Sequence, residues 1–153
     1  MAINIQQHAA KARGFLQDAA VHMGVTYDEA VAGRIVTAVL HSLRDHISMQ
    51  ESLQLIAQLP TVVKGIYVEG WKSEPPRRLH HEADFFQAVR QHLGATAGHD
   101  LGNDAMARER IQGVFQALSR YVSRGEMEDI AGQLPRELQA LVLSGRTEPS
   151  DKV

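Results

Sequence analysis

The densest group of residues able to do chemistry lies between Glu69 and Asp84, where the chain reads EGWKSEPPRRLHHEAD. It holds the single tryptophan, Trp71, together with Lys72, Arg77, Arg78, His80 and His81. Guanidinium pairs suit phosphate or carboxylate, because their planar donors match two oxygens at once. An indole face stacks a base or holds a ligand cation. This set would serve a small anionic ligand. The same stretch also supplies Glu69, Glu74 and Glu82. A second reading therefore stands beside the first: the arginines pair with these acids while Trp71 plugs a seam between helices.

Histidine offers the next chemistry. His80 and Asp84 stand at i, i+4, as do His41 and Asp45, so either pair would reach one metal ion from a helix face. Neither forms an HExxH or a comparable cluster, and two ligands do not make a structural zinc site, so no metal and no cofactor are expected. His22 and His92 fall in the last turns of their helices, where a cation meets the negative end of the helix dipole. Catalytic patterns are scarce. The chain has no cysteine, which removes thiolate nucleophiles, disulfides and thiolate metal sites together. No GxSxG elbow, P-loop or dinucleotide fingerprint is present, and no catalytic residue is assigned. The stretch Ala95–Asp104 (ATAGHDLGND) lacks both the Lys-Ser/Thr of a phosphate loop and the ligand spacing of a calcium loop. It is expected to be a flexible connector.

These residues must be carried by helices. Aromatic residues make up 5% of the 153, too few for a sandwich or barrel. Val36, Val39, Leu40, Leu43 and Ile47 follow the i, i+3, i+4, i+7, i+11 stripe of an amphipathic helix. Shifted by 75 residues, Ile111, Val114, Phe115, Leu118 and Val122 repeat it, and seven positions from Val39/Val114 to Pro60/Pro135 are identical. Ser48-x-x-Glu51 and Ser123-x-x-Glu126 read as capping boxes, in which the hydroxyl takes a helical N–H and the carboxylate returns to the cap. Thr26-x-x-Glu29 reads as a third. A Leu-Pro corner follows in each copy, and a shift of 70 residues matches Phe15…His22-x-Gly24 with Phe85…His92-x-Gly94.

The expectation is an all-α chain forming a single domain over 1–153. It consists of two tandem four-helix repeats packed as one pseudo-two-fold symmetric bundle: repeat 1 over 6–68, a linker over 69–79, repeat 2 over 80–144 and a flexible tail over 145–153. Each copy alone is too small to bury much surface, which requires them to pack together. Where the copies should present one face, Leu53 stands for Glu128 and Val62 for Glu137. Exposed there, they mark a partner contact; buried, they mark a packing difference.

The strings Ala57-Gln-Leu-Pro60, Gly65-Ile-Tyr67-x-Glu69-Gly-Trp71, Pro-Arg-Arg-Leu-His, Phe85-Phe and Gly132-Gln-Leu-Pro135-x-Glu-Leu138 resemble the family catalogued as domain of unknown function 2267. The likeness covers about residues 10–145 and implies a small helical bacterial protein of the cytoplasm, with no activity to carry over.

Sixteen Lys+Arg against eighteen Asp+Glu leave a net charge of −2, which excludes a general nucleic-acid or membrane-surface binder. The helix after the proline corner offers only Lys64, which excludes DNA recognition by a helix-turn-helix. No apolar run has signal-peptide or membrane-spanning length. The leading expectation is a cytoplasmic, non-enzymatic module that acts through protein–protein contact or self-association, with Leu53 and Val62 in the contact. The alternative is a binder of a small anion at Trp71–His81 or at the seam between repeats.

Overall fold

The computed structural model describes residues 2–72 and 74–146, and every regular element among them is helical. In order these are α1 (Ile5–Met23), α2 (Glu29–His46), α3 (Met49–Gln58), α4 (Thr61–Val68), α5 (Glu82–Leu93), a 3-10 turn (Gly94–Thr96), the one-turn α6 (Ala97–Asp100), α7 (Asp104–Leu118), α8 (Arg124–Gly132) and α9 (Arg136–Val142). A last 3-10 turn, Ser144–Arg146, carries the ordered chain past the start of the expected tail, whose residues 147–153 lie outside the described ones.

Local signals set most boundaries. Asn4 caps α1 by accepting from Gln7 N–H, and Gly24 closes it in the left-handed conformation at φ 74°. The box expected at Thr26 is not used. Asp28 accepts from Val31 N–H at 3.1 Å instead, which sets an acidic side chain at the positive end of the dipole, and Glu29 turns to Arg13. Ser48 and Ser123 cap α3 and α8 as expected, accepting from Glu51 and Glu126 N–H at 3.1 and 3.2 Å.

The return half of both boxes differs from expectation. Ser48 N–H donates to Gln133 Oε1 and Ser123 N–H to Gln58 Oε1, each at 2.7 Å. A glutamine from the other half of the chain thus takes the place the carboxylate would occupy. Glu51 and Glu126 are left to turn inward, where they are 8% and 5% exposed.

Packing crosses between the halves as well. α1 lies chiefly against α7, and α5 against α2. Both predicted stripes are fully buried and enter one hydrophobic cluster with Phe15, Phe85, Tyr67, Leu138 and Leu141. Burying each side chain of that size contributes roughly 1.5–3 kcal/mol.

The segment expected to be a flexible connector, Ala95–Asp104, is instead built into the core's edge. Asp100 has no exposed surface and accepts two hydrogen bonds from Arg34, at 2.7 and 3.1 Å, while His99 Nδ1 sits at 2.8 Å. The Arg34 guanidinium holds its carboxyl well below the usual carboxylate range. Arg110 donates to the Asp100 carbonyl. A buried carboxylate, both oxygens bonded to a half-exposed arginine, fixes a glycine-rich stretch that composition alone marks as mobile.

Gly113 sets the approach of α7 to α1. A Cβ there would lie 2.6 Å from Met23 N and 2.8 Å from His22 C, both backbone atoms that cannot rotate away. Gly113→Ala should therefore destabilise the protein by about 1–3 kcal/mol through overpacking, read as a lower urea midpoint. An unchanged midpoint would show that the two helices part freely.

Candidate functional site

The linker after α4 runs without regular structure to α5, yet it is pinned along the C-terminal end of α2. Gly70, at φ 69°, makes the turn that brings Trp71 back over α4, where its ring meets Tyr67 edge-on at 5.8 Å. Further on, Arg77 N–H donates to the Asp45 carbonyl at 2.9 Å, and the Arg77 carbonyl takes His46 Nδ1 at 2.8 Å. The His46 ring is therefore the tautomer with hydrogen on Nδ1. Burial lowers its pKa below the ordinary histidine value, so it stays neutral.

Between this strap and helices α2 and α5 lies a pocket of about 350 Å³, lined by Arg44, Asp45, Trp71, Lys72, Glu74, Arg77 and His92 among others. Three of the residues singled out from sequence, Trp71, Lys72 and Arg77, thus come together. Arg78, His80 and His81 do not line it. Arg78 is exposed, and His81 Nδ1 stands 3.4 Å from Glu137 Oε2 at the start of α5. Neither candidate metal pair is free. Asp84 Oδ2 accepts the backbone N–H groups of His80 and His81, at 3.1 and 3.0 Å. His41 Nε2 pairs with the Ile66 carbonyl at 2.7 Å.

Among the described residues no ion pair joins Arg77 or Arg78 to Glu69, Glu74 or Glu82, the pairing the second sequence reading supposed. Glu82 is held by Arg108, and Arg77 leans on Asp45 at 3.5 Å. Asp45 also takes His92 Nε2 at 2.8 Å, so this carboxylate is already matched by two partners.

The decisive residue is one the sequence did not single out. Arg44 is 9% exposed, and its Nη1 donates to the carbonyls of Tyr67 and Glu69, both at 2.7 Å, closing the end of α4. Its Nε is buried without a partner, and no carboxylate lies within ion-pair distance among the described residues. Burial lowers its pKa, although a guanidinium remains a cation at neutral pH. A buried positive charge with no direct ion-pair partner among the described residues, and only the Asp45 carboxylate nearby, lines a polar pocket. The signal available was the 75-residue sequence shift, which sets Arg44 against Ser119, itself 4% exposed. A long cation at a buried register position marks a special environment.

Of the two residues proposed for partner contact, Leu53 is 57% and Val62 39% exposed. Val62 borders α1 beside Ala9 and Ala12. Glu137, the residue the 75-position sequence shift sets against it, caps α5 instead, with Oε1 accepting Glu82 N–H at 2.8 Å. The Val62/Glu137 difference thus follows the two helices' different neighbours. Leu53 has no such account.

The pocket, the Arg44 position and both serine caps all fall within residues 12–141, the span matched by the model of an uncharacterized conserved protein family, DUF2267. The chain belongs to the DUF2267 family. No curated protein matches it. No described helix of this DUF2267 chain is long and apolar enough to cross a membrane.

Proposed function

We propose that this DUF2267 chain is a non-catalytic binding module for a small anion, seated between Arg44, Lys72 and Arg77 with Trp71 at its edge. The observation that carries the reading is Arg44, a buried guanidinium with an unpartnered Nε and no carboxylate in ion-pair contact among the described residues. An anion in the pocket would complete that charge, and Arg77 is held in place by the two backbone-level bonds to α2. Asp45 and Glu74 limit the charge available, which favours one carboxylate or phosphate group over a polyanion. The reading includes a bacterial, cytoplasmic setting. It also treats the chain as one cooperative domain of two tandem four-helix copies related by an approximate two-fold axis, supported by the reciprocal Gln58 and Gln133 bonds.

Titration with inorganic phosphate, nucleotides and small carboxylates should change Trp71 fluorescence saturably. Lys72→Ala with Arg77→Ala, which leaves Arg44 and its structural bonds intact, should weaken the apparent Kd at least about tenfold. A flat signal and an unchanged melting temperature across the panel would refute the site.

A second reading, self-association or protein contact through α3, draws on the exposed Leu53. Light scattering over a range of concentrations should then show a dimer that Leu53→Glu, the residue type of the matching place in the second half, returns to monomer. A monomer at every concentration contradicts self-association.

A further inference from the structure

We infer that Glu51 and Glu126 hold a single proton between them where α3 meets α8, and that this proton fastens the two halves of the chain. The inference is independent of the anion reading. Oxygens of Glu51, Glu126 and Asp129 lie within 4.8 Å of one another. Asp129 is exposed to water, whereas Glu51 and Glu126 are more than nine-tenths buried. Their surroundings supply hydrogen-bond donors but no paired cation among the described residues. The Gln54 amide nitrogen, turned toward the pair, donates to Glu126 Oε1 at 3.2 Å and Glu51 Oε2 at 3.3 Å. Gln133 Nε2 donates to Glu51 Oε1 at 3.2 Å. Glu126 Oε2 is buried with no partner among the described residues.

The groups facing the pair from neighbouring elements do not neutralise it. From α4 comes the Tyr67 hydroxyl, bonded to Ser52 Oγ at 2.6 Å, and from α8 comes Asp129. Lys64 on α4 gives its ammonium to the Ile56 and Ala57 carbonyls, Arg124 on α8 pairs with Glu128, and Glu137 on α9 is bound to His81 and Glu82. No Lys, Arg or His forms an ion pair with Glu51 or Glu126 among the described residues. Two adjacent buried carboxylates without a cation cannot both stay ionised. One proton removes a charge and gives Glu126 Oε2 the hydrogen it lacks. Burial, and then the Glu51 carboxylate beside it, push the Glu126 carboxyl up to about 8. The proton belongs to the pair rather than to one residue.

The sign of the consequence is fixed. An unfolded chain releases this proton near the ordinary glutamate value, about 4.3, while the folded chain keeps it to about 8. Between those limits the folded state binds more protons, so stability falls as pH rises. The seam is tightest in mild acid and loosens above pH 8, where both carboxylates are charged. His41 and His46, which burial keeps neutral, act in the opposite direction, losing stability in acid. The effect of the pair is therefore read as a difference between variants.

Urea unfolding of the full chain at steps from pH 5 to pH 9 tests this with wild type and Glu126→Gln. The wild-type unfolding constant, relative to the variant, should rise up to about tenfold per pH unit across the window. Glu126→Gln, whose amide carries a donor without charge, should be the more stable protein at pH 9. Infrared spectra of the wild type give a measure that needs no variant: a neutral carboxylic acid band at pH 7 that is lost by pH 9. Parallel pH profiles together with no such band at pH 7 would overturn the inference. So would stabilisation of the wild type at pH 7 by millimolar Mg²⁺ or Ca²⁺ that Glu126→Gln does not show, since a metal rather than a proton would then be the occupant.

Discussion

The N–H groups of Ser48 and Ser123 need acceptors, and in this chain each acceptor is a glutamine from the opposite half. The unfilled donors of a helix's first turn are normally satisfied locally, at a gain of about 1 kcal/mol per cap. Here that requirement ties α3 to the end of α8 and α8 to the end of α3. A helix start in one half is completed only when the other half is in place. The same choice frees two glutamates, which turn from their caps into the space between the helices. The exchange of α1 onto α7 and of α5 onto α2 works in the same sense, because the largest helix contacts of each half are made with the other.

The candidate site grows out of this arrangement. α2 ends beside α5 because the halves are interleaved, and the linker between them must pass over that junction. Its position is set by two bonds to α2, one to the Asp45 carbonyl and one from the His46 ring, and by the Gly70 turn, which folds Trp71 onto Tyr67. Arg44 closes the end of α4 and, with the same side chain, leaves a charge under the strap. One residue therefore serves both the fold and the proposed site. For that reason the cations at the pocket's rim, rather than Arg44 itself, are the ones to remove when binding is in question.

Sequence revealed what depends on neighbours along the chain. The buried stripes at Val36–Ile47 and Ile111–Val122, the serine caps, the proline corners and the αL stop at Gly24 are all set by spacings of three or four residues, and the structure has them. Family membership was also legible, because its motifs are short continuous strings. What escaped were contacts between residues far apart in the chain. Nothing local tells that Gln133, and not Glu51, serves Ser48, since both have the reach and the chemistry. Asp100 sits in a run of glycine and small residues that reads as mobile, and only Arg34, 66 positions away, makes it core. The linker's chemistry was visible as a composition of Trp71, Lys72 and Arg77. Its depth was not, because the wall behind it comes from α2 and α5.

If the halves complete each other's helices, they must open together. Native-state hydrogen exchange at the Ser48 and Ser123 amides measures this directly, since each amide is held by a glutamine of the other half. The account predicts equal protection at both, matching the free energy of global unfolding, and a joint loss at both when Gln133 is replaced by alanine. Exchange of one amide through a much cheaper local opening, with the other still at the global limit, would contradict it.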